Sequence, residues 1–134
     1  MKKSIIFVHI ELSKFARELI NQSPAFKDSL KAQAGYFNII TPKYFSDALS
    51  AEWENITREV KMKGAKTDEQ GRVIASDVVN TIDQMSHQQC NSLVDRIANI
   101  QQKVKKEFEW SYLIYLWVVS YNHYAYCGQW LFLT

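Results

Sequence analysis

Residues 86–108, SHQQCNSLVDRIANIQQKVKKEF, carry the pattern on which the fold depends. Large apolar residues recur there at intervals of three or four, at Leu93, Ile97, Ile100, Val104 and Phe108. This spacing is typical of an amphipathic α-helix, because residues three and four apart lie on the same helix face. Ser86 and Gln89 match a capping box, in which each side chain bonds the backbone of the other residue. The pattern therefore predicts a helix that begins near Ser86.

The segment that follows, residues 110–134, reads WSYLIYLWVVSYNHYAYCGQWLFLT and contains no Asp, Glu, Lys or Arg. Its many aromatic residues favour a central hydrophobic element, against which the amphipathic helices pack. We expect the helix to continue to about Tyr126, with Gly128 ending it. A short strand is then predicted over Trp130–Leu133, beside an N-terminal strand over Ser4–Ile10.

Two stretches upstream have the composition of short strands. Ser4–Ile10 is an almost continuous apolar run rich in β-branched residues, which is typical of a strand buried on both faces. Phe37–Ile40 is a second such run, bounded by Gly35 and by Thr41-Pro42.

The rest of the N-terminal half is predicted to be helical. One helix extends from Glu11 to a point before Pro24, and Ser23-Pro24 begins another that ends at Gly35. A longer helix follows Thr41-Pro42 and ends at Gly64; its stripe comprises Phe45, Leu49, Trp53, Ile56 and Val60. The segment 66–72 is polar and rich in turn residues, so it is predicted to be a surface loop. Ser76 is predicted to cap the next helix.

These elements predict an α+β fold that is predominantly helical. We expect a compact single domain spanning residues 1–134, with one or two short strands near the termini and an aromatic-rich C-terminal core element.

Composition excludes several classes of protein. The chain has 16 Lys and Arg against 14 Asp and Glu, a net charge of +2, and 47% hydrophobic residues. Such a chain is neither disordered nor strongly basic. Its two cysteines are too few for a disulfide framework, and the N-terminal apolar run is too short for a signal peptide, so a reduced cytoplasmic setting is expected.

The sequence contains none of the motifs that mark common enzymes. Its four glycines stand alone, so they form neither a phosphate-binding loop nor a dinucleotide fingerprint, and there is no nucleophile elbow. We therefore expect a non-enzymatic protein without cofactors. The favoured function is a protein-binding module: an adaptor, inhibitor or regulator that docks stoichiometrically on a larger protein. Its expected contact residues are Tyr112, Tyr115, Trp117, Tyr121, Tyr124, Tyr126 and Trp130.

Two alternatives belong to other classes of function. A nucleic-acid-binding accessory protein would use the lysine clusters, Lys61, Lys63, Lys66, Lys103, Lys105 and Lys106. A small zinc-binding protein would use a Cys2His2 set, His87, Cys90, His123 and Cys127. A membrane location is not favoured, because polar residues 120–124 would lie near the bilayer centre. Self-association stays open, since the stripe from Leu93 to Phe108 can pair with its own copy as well as with another helix.

Overall fold

A computed structural model describes the backbone of residues 3–133 and the side chains of residues 5–123. Within that backbone there are six α-helices and one two-stranded antiparallel sheet. The helices are α1 (Lys3–Asn21), α2 (Phe26–Ala32), α3 (Tyr36–Ile39), α4 (Asp47–Lys61), α5 (Asp77–Asp83) and α6 (His87–Leu133). The strands are β1 (Lys66–Thr67) and β2 (Val73–Ala75), and a 3-10 turn covers Pro42–Tyr44. The predominantly helical α+β class is therefore confirmed.

The N-terminal half of α6 lies between α1 and α4, and both neighbours are antiparallel to it. Three polar contacts order α4 against α6: Ser46 with Glu107, Glu52 with Lys103, and Glu59 with Arg96. On the other side, Gln101 Nε2 donates a hydrogen bond to Ser13 Oγ at 3.2 Å, and the His9 ring stacks on Phe108 with centroids 4.3 Å apart. Two long neighbours therefore fix the direction of α6.

The core is built from the apolar stripes of these three helices. Leu93, Ile97, Ile100 and Val104 of α6 are buried, as their spacing predicts, and so is the stripe of α4. At the centre of α4 lies Trp53, whose Nε1 donates a hydrogen bond to the carbonyl oxygen of Ile40 at 2.7 Å. The rings of Phe45 and Phe37 stack on the Trp53 indole, at centroid distances of 5.3 and 5.9 Å.

Two predicted helix caps are confirmed by the hydrogen bonds at α5 and α6. Ser86 Oγ accepts from the Gln89 backbone N–H at 3.1 Å, and Gln89 Oε1 accepts from the Ser86 N–H at 2.9 Å. Ser76 Oγ accepts from the Val79 N–H at 3.3 Å. These caps satisfy N–H groups that the first turn of a helix leaves without partners.

The predicted strand over Ser4–Ile10 is wrong, because this segment belongs to α1. Its burial is confined to one face: Val8 continues the buried stripe of α1, whereas Ile6 and Ile10 are exposed at 38% and 45%. Packing against α6 therefore outweighs the β-propensity of the isoleucines. The prediction of a strand assumes that this apolar segment is buried on both faces, and it is buried on only one.

The predicted strand over Phe37–Ile40 is also wrong. This segment forms the short helix α3, in which the N–H groups of Ile39 and Ile40 donate to the carbonyls of Gly35 and Tyr36 at 3.1 and 2.9 Å. Backbone groups need partners, and the turn of helix provides them where no neighbouring strand is paired with this segment. Helix α4 begins at Asp47 and not at Thr41-Pro42, where the 3-10 turn lies instead.

The sheet lies around the segment 66–72 that the sequence predicts as a loop, and not near the termini. Residues Lys66–Thr67 and Val73–Ala75 pair as a hairpin, and the turn between them is organised by Asp68. The Asp68 carboxylate accepts from the backbone N–H of Arg72, from Arg72 Nε and from the Gln70 N–H, each at 2.9 Å. These hydrogen bonds hold the pKa of Asp68 below its ordinary value.

The C-terminal end of α6 also differs from the prediction. The helix passes through Gly128 and continues to Leu133, so the predicted strand over Trp130–Leu133 is wrong. With 47 residues, α6 is about 70 Å long at a rise of 1.5 Å per residue. A helix of this length extends well beyond the body that α1 and α4 form around its N-terminal half.

We expect Trp53→Phe to lower the free energy of unfolding by about 1–3 kcal/mol, because it leaves the buried Ile40 carbonyl without its donor. Trp110→Phe is the matched control: Trp110 is 67% exposed, so its replacement should change stability by less than about 0.5 kcal/mol. Urea unfolding followed by circular dichroism measures both. Equal effects of the two substitutions would contradict the role of Trp53.

Candidate functional site

The environment of α6 changes near Phe108. Upstream, the stripe ending at Val104 is buried, and Phe108 is half-buried against His9. Downstream, Ile6 of α1 still forms one wall of a cleft of about 320 Å³, whose other lining residues are Phe108, Tyr112 and Tyr115. The cleft therefore lies at the junction between the N-terminal part of α1 and α6.

Beyond the cleft, the side chains of α6 that the structure describes are exposed to solvent. We call residues 110–123 the α6 extension; every residue in it except the half-buried Ser111 is exposed. Trp110, Trp117 and Tyr121 are 67%, 68% and 63% exposed. The expected aromatic core element is therefore wrong for this segment. Within the described residues, the buried core ends upstream of it, at Val104.

A continuous exposed surface of this kind calls for an explanation. Single exposed apolar residues are ordinary in soluble proteins, whereas large contiguous apolar patches mark sites of interaction. A helix that is apolar on all sides is normally covered by other groups. The α6 extension is such a helix, and it also lacks charged side chains.

The aromatic residues predicted to contact a partner fall into two groups. Tyr112, Tyr115, Trp117 and Tyr121 lie in the α6 extension and are exposed, at 47%, 54%, 68% and 63%. Tyr124, Tyr126 and Trp130 lie outside the residues whose side chains the structure describes. The first group lies within a single exposed helical segment.

The exposed apolar residues of the extension lie on two opposite sides of the helix. Trp110, Ile114, Trp117 and Tyr121 follow one another at intervals of four, three and four, which places them on one side of the helix. We call these four residues the aromatic stripe. The rings of Trp117 and Tyr121 stack with centroids 5.7 Å apart. Tyr112 lies about 180° around the helix from Tyr121, since nine residues separate them at about 100° per residue.

The four predicted zinc ligands do not form one site within a chain. His87 and Cys90 lie at the start of α6, and His123 lies 36 positions after His87 on the same helix, about 54 Å away at 1.5 Å per residue. The side chain of Cys127 lies outside the described residues. Among side chains 5–123, no three His, Cys, Asp or Glu residues are close enough to hold a metal ion together.

Cys90 is a core residue and not an accessible nucleophile. Its side chain is fully buried, and this burial raises the pKa of the thiol, against a smaller opposing effect of Lys27 and Lys31. A thiol with a raised pKa has little of the reactive thiolate at neutral pH. This arrangement gives Cys90 the role of a small apolar side chain.

The two lysine clusters are held near different parts of α4. Lys61 Nζ donates to Asn38 Oδ1 at 2.8 Å, at the C-terminal end of α4, where Lys63 and Lys66 follow in sequence. Lys103 pairs with Glu52 at 3.2 Å, and Lys105 with Glu109 at 4.0 Å. Glu52 and Lys61 are nine residues apart on α4, about 14 Å. Lys103 and Lys105 therefore have acidic partners, Lys61 has an amide partner, and the two clusters lie near different parts of α4.

Sequence reasoning missed the cleft beside the extension. The cleft depends on Ile6, which was assigned to a buried strand, and on the stacking of His9 against Phe108. A polar His9 within an apolar run, four residues before Ser13, was a signal that this run has a helical register.

No family model, curated protein or solved structure is significantly similar to this chain. Among the residues described, none of the helices combines the length and the apolar character that crossing a membrane requires. Function must therefore be argued from the site itself.

We expect Cys90 to resist thiol reagents in the native protein. In a Cys127→Ser chain, iodoacetamide should label Cys90 at least tenfold more slowly in buffer than in denaturing urea, because the native thiol is buried and its pKa is raised. Mass spectrometry of timed samples measures the rate. Rapid labelling of the folded chain would show that Cys90 is accessible.

Proposed function

We propose that this chain is a non-enzymatic protein-binding module that docks stoichiometrically on a larger protein through the α6 extension. The observation that supports this function is the exposure of an uncharged, aromatic helical surface from Trp110 to His123. Tyr and Trp are the side chains that contribute most to protein interfaces.

The size of the exposed surface is adequate for a specific complex. An aromatic side chain buries roughly 150–250 Å² when it is covered completely, and the extension exposes five aromatic residues to between 47% and 68%. Together with the exposed Leu, Ile and Val residues between them, the available area is on the order of 1,000 Å². A standard interface takes about 800 Å² from each partner.

The way in which α6 is held also favours binding. Its N-terminal half is anchored between α1 and α4, and its start is fixed by the capping box at Ser86. The extension is continuous with this anchored helix, so its backbone is already in the conformation that a partner would bind. Binding then costs less ordering entropy than it would for a disordered tail.

Within this proposal, the role is that of an adaptor, an inhibitor or a regulator in a reduced cytoplasmic compartment. The small number of cysteines, two in the chain, is in keeping with such a compartment. The exposed turn of the β1–β2 hairpin, organised by Asp68, is a candidate for the polar rim of the interface. Charged rim residues affect association rate more than affinity.

The proposed function is tested by replacing one exposed aromatic residue. We expect Tyr115→Asp to weaken partner binding by about 30-fold or more, the effect of losing roughly 2 kcal/mol at a hot spot. The measurement is affinity capture of tagged full-length chain from cells of its source, with quantitative mass spectrometry of proteins retained in a stoichiometric ratio.

The control is Ile20→Asp, which places the same charge at a residue of α1 that is 58% exposed. It should retain the stoichiometric partner, whereas Tyr115→Asp should lose it. Circular dichroism verifies that both variants remain folded. If all three chains retain the same proteins, or if none retains a stoichiometric partner, the docking function is wrong.

A further inference from the structure

The aromatic stripe has the spacing of a helix-pairing surface. Its intervals of four, three and four are those by which the core residues Leu93 to Val104 pack against α1 and α4. Further upstream on the same side of α6 is the charged residue Lys103, which pairs with Glu52. This side of α6 therefore carries a charged residue upstream of Trp110 and aromatic residues from Trp110 onward.

We propose that a second copy of this chain binds to the aromatic stripe, so that two α6 extensions pair with each other. The inference rests on the proposed role of the extension as a binding surface, but it concerns a different side of the helix from Tyr112. The second copy then occupies the aromatic stripe, and the larger partner binds the opposite side of the α6 extension.

Charge favours a second copy as the occupant. Residues 110–134 contain no Asp, Glu, Lys or Arg, so two extensions approach each other without repulsion between like charges. Of the charged residues just before this segment, Lys106 is positive and Glu107 and Glu109 are negative, and Lys105 pairs with Glu109 at 4.0 Å. In a two-fold symmetric interface both chains use the same patch, so a patch without charged residues brings no like charges together.

The area matches what a dimer requires. Trp110, Trp117 and Tyr121, exposed at 67%, 68% and 63%, provide roughly 300–500 Å² per chain. Ile114 and the adjoining Leu113 are 47% and 58% exposed and lie beside them. The total is roughly 500–600 Å² per chain, at the lower end of specific interfaces, and it is almost entirely apolar, as homodimer interfaces tend to be.

A pair formed in this way leaves the opposite side of each extension accessible. That side carries Tyr112, Tyr115 and Val119, together with the cleft lined by Ile6. The dimer would therefore present two copies of this side, one per chain. Two docking sides on one particle increase the avidity for a partner that has two binding sites.

The test uses sedimentation equilibrium of the full-length chain at micromolar concentrations. We expect the wild-type chain to show twice its mass of 15.6 kDa. Tyr121→Lys should weaken dimerisation by at least tenfold, because a charge would be buried against the second copy. Tyr112→Lys is the matched control, with the same substitution about 180° around the helix, and it should leave the dimer intact.

A second pair of variants tests whether the stripe meets its own copy. Ile114→Lys and Ile114→Glu should each be monomeric, and an equimolar mixture of the two should form a dimer, because opposite charges then meet across the interface. Circular dichroism of each variant verifies the fold. This restoration is not expected if the stripe contacts any surface other than its own copy.

Three results would overturn the proposal: a monomeric wild-type chain, equal effects of Tyr112→Lys and Tyr121→Lys, or a mixture of the Ile114 variants that stays monomeric. A monomeric chain that sediments with phosphatidylcholine vesicles would assign the stripe to lipid. Each of these leaves the affinity-capture test of the proposed function unaffected. Conversely, a dimer without a captured partner would contradict the docking function alone.

Discussion

The packing of one apolar stripe of α6 between α1 and α4 is the constraint on which the rest of the structure depends. It buries Leu93, Ile97, Ile100 and Val104, and it orients both neighbours antiparallel to α6. Because α6 is one continuous helix, the same packing also fixes the direction in which the extension leaves the body. The core and the candidate docking surface are therefore two parts of a single element.

The sequence predicts correctly those helices in which the spacing of apolar residues and the capping residue indicate the same structure. The stripe of α4 with Trp53, the stripe of α6 and the caps at Ser76 and Ser86 are present as expected. In each case an apolar period of 3.6 residues and a local polar group indicate the same structure. Local agreement of this kind depends little on where the other elements lie.

The remaining parts depend on contacts between distant residues. Ile5 to Ile10 form a helix because α6 covers the side that carries Val8, and His9 is the one local residue that indicates this register. Whether the apolar stretch from Tyr112 to Val119 is buried or exposed depends on which elements pack against it, and the described elements leave it exposed. The aromatic residues of the candidate site could be predicted by type, but their exposure could not.

The most direct measurement is hydrogen–deuterium exchange along α6 in dilute full-length chain, read by mass spectrometry. Backbone amides of residues 93–104 should exchange slowly, since they open only when the core opens. Amides of residues 112–121 should exchange much faster in dilute solution, and more slowly as the chain concentration rises and the extensions pair. Equal, concentration-independent protection of both halves would show that the extension is buried within its own chain, and would contradict the account.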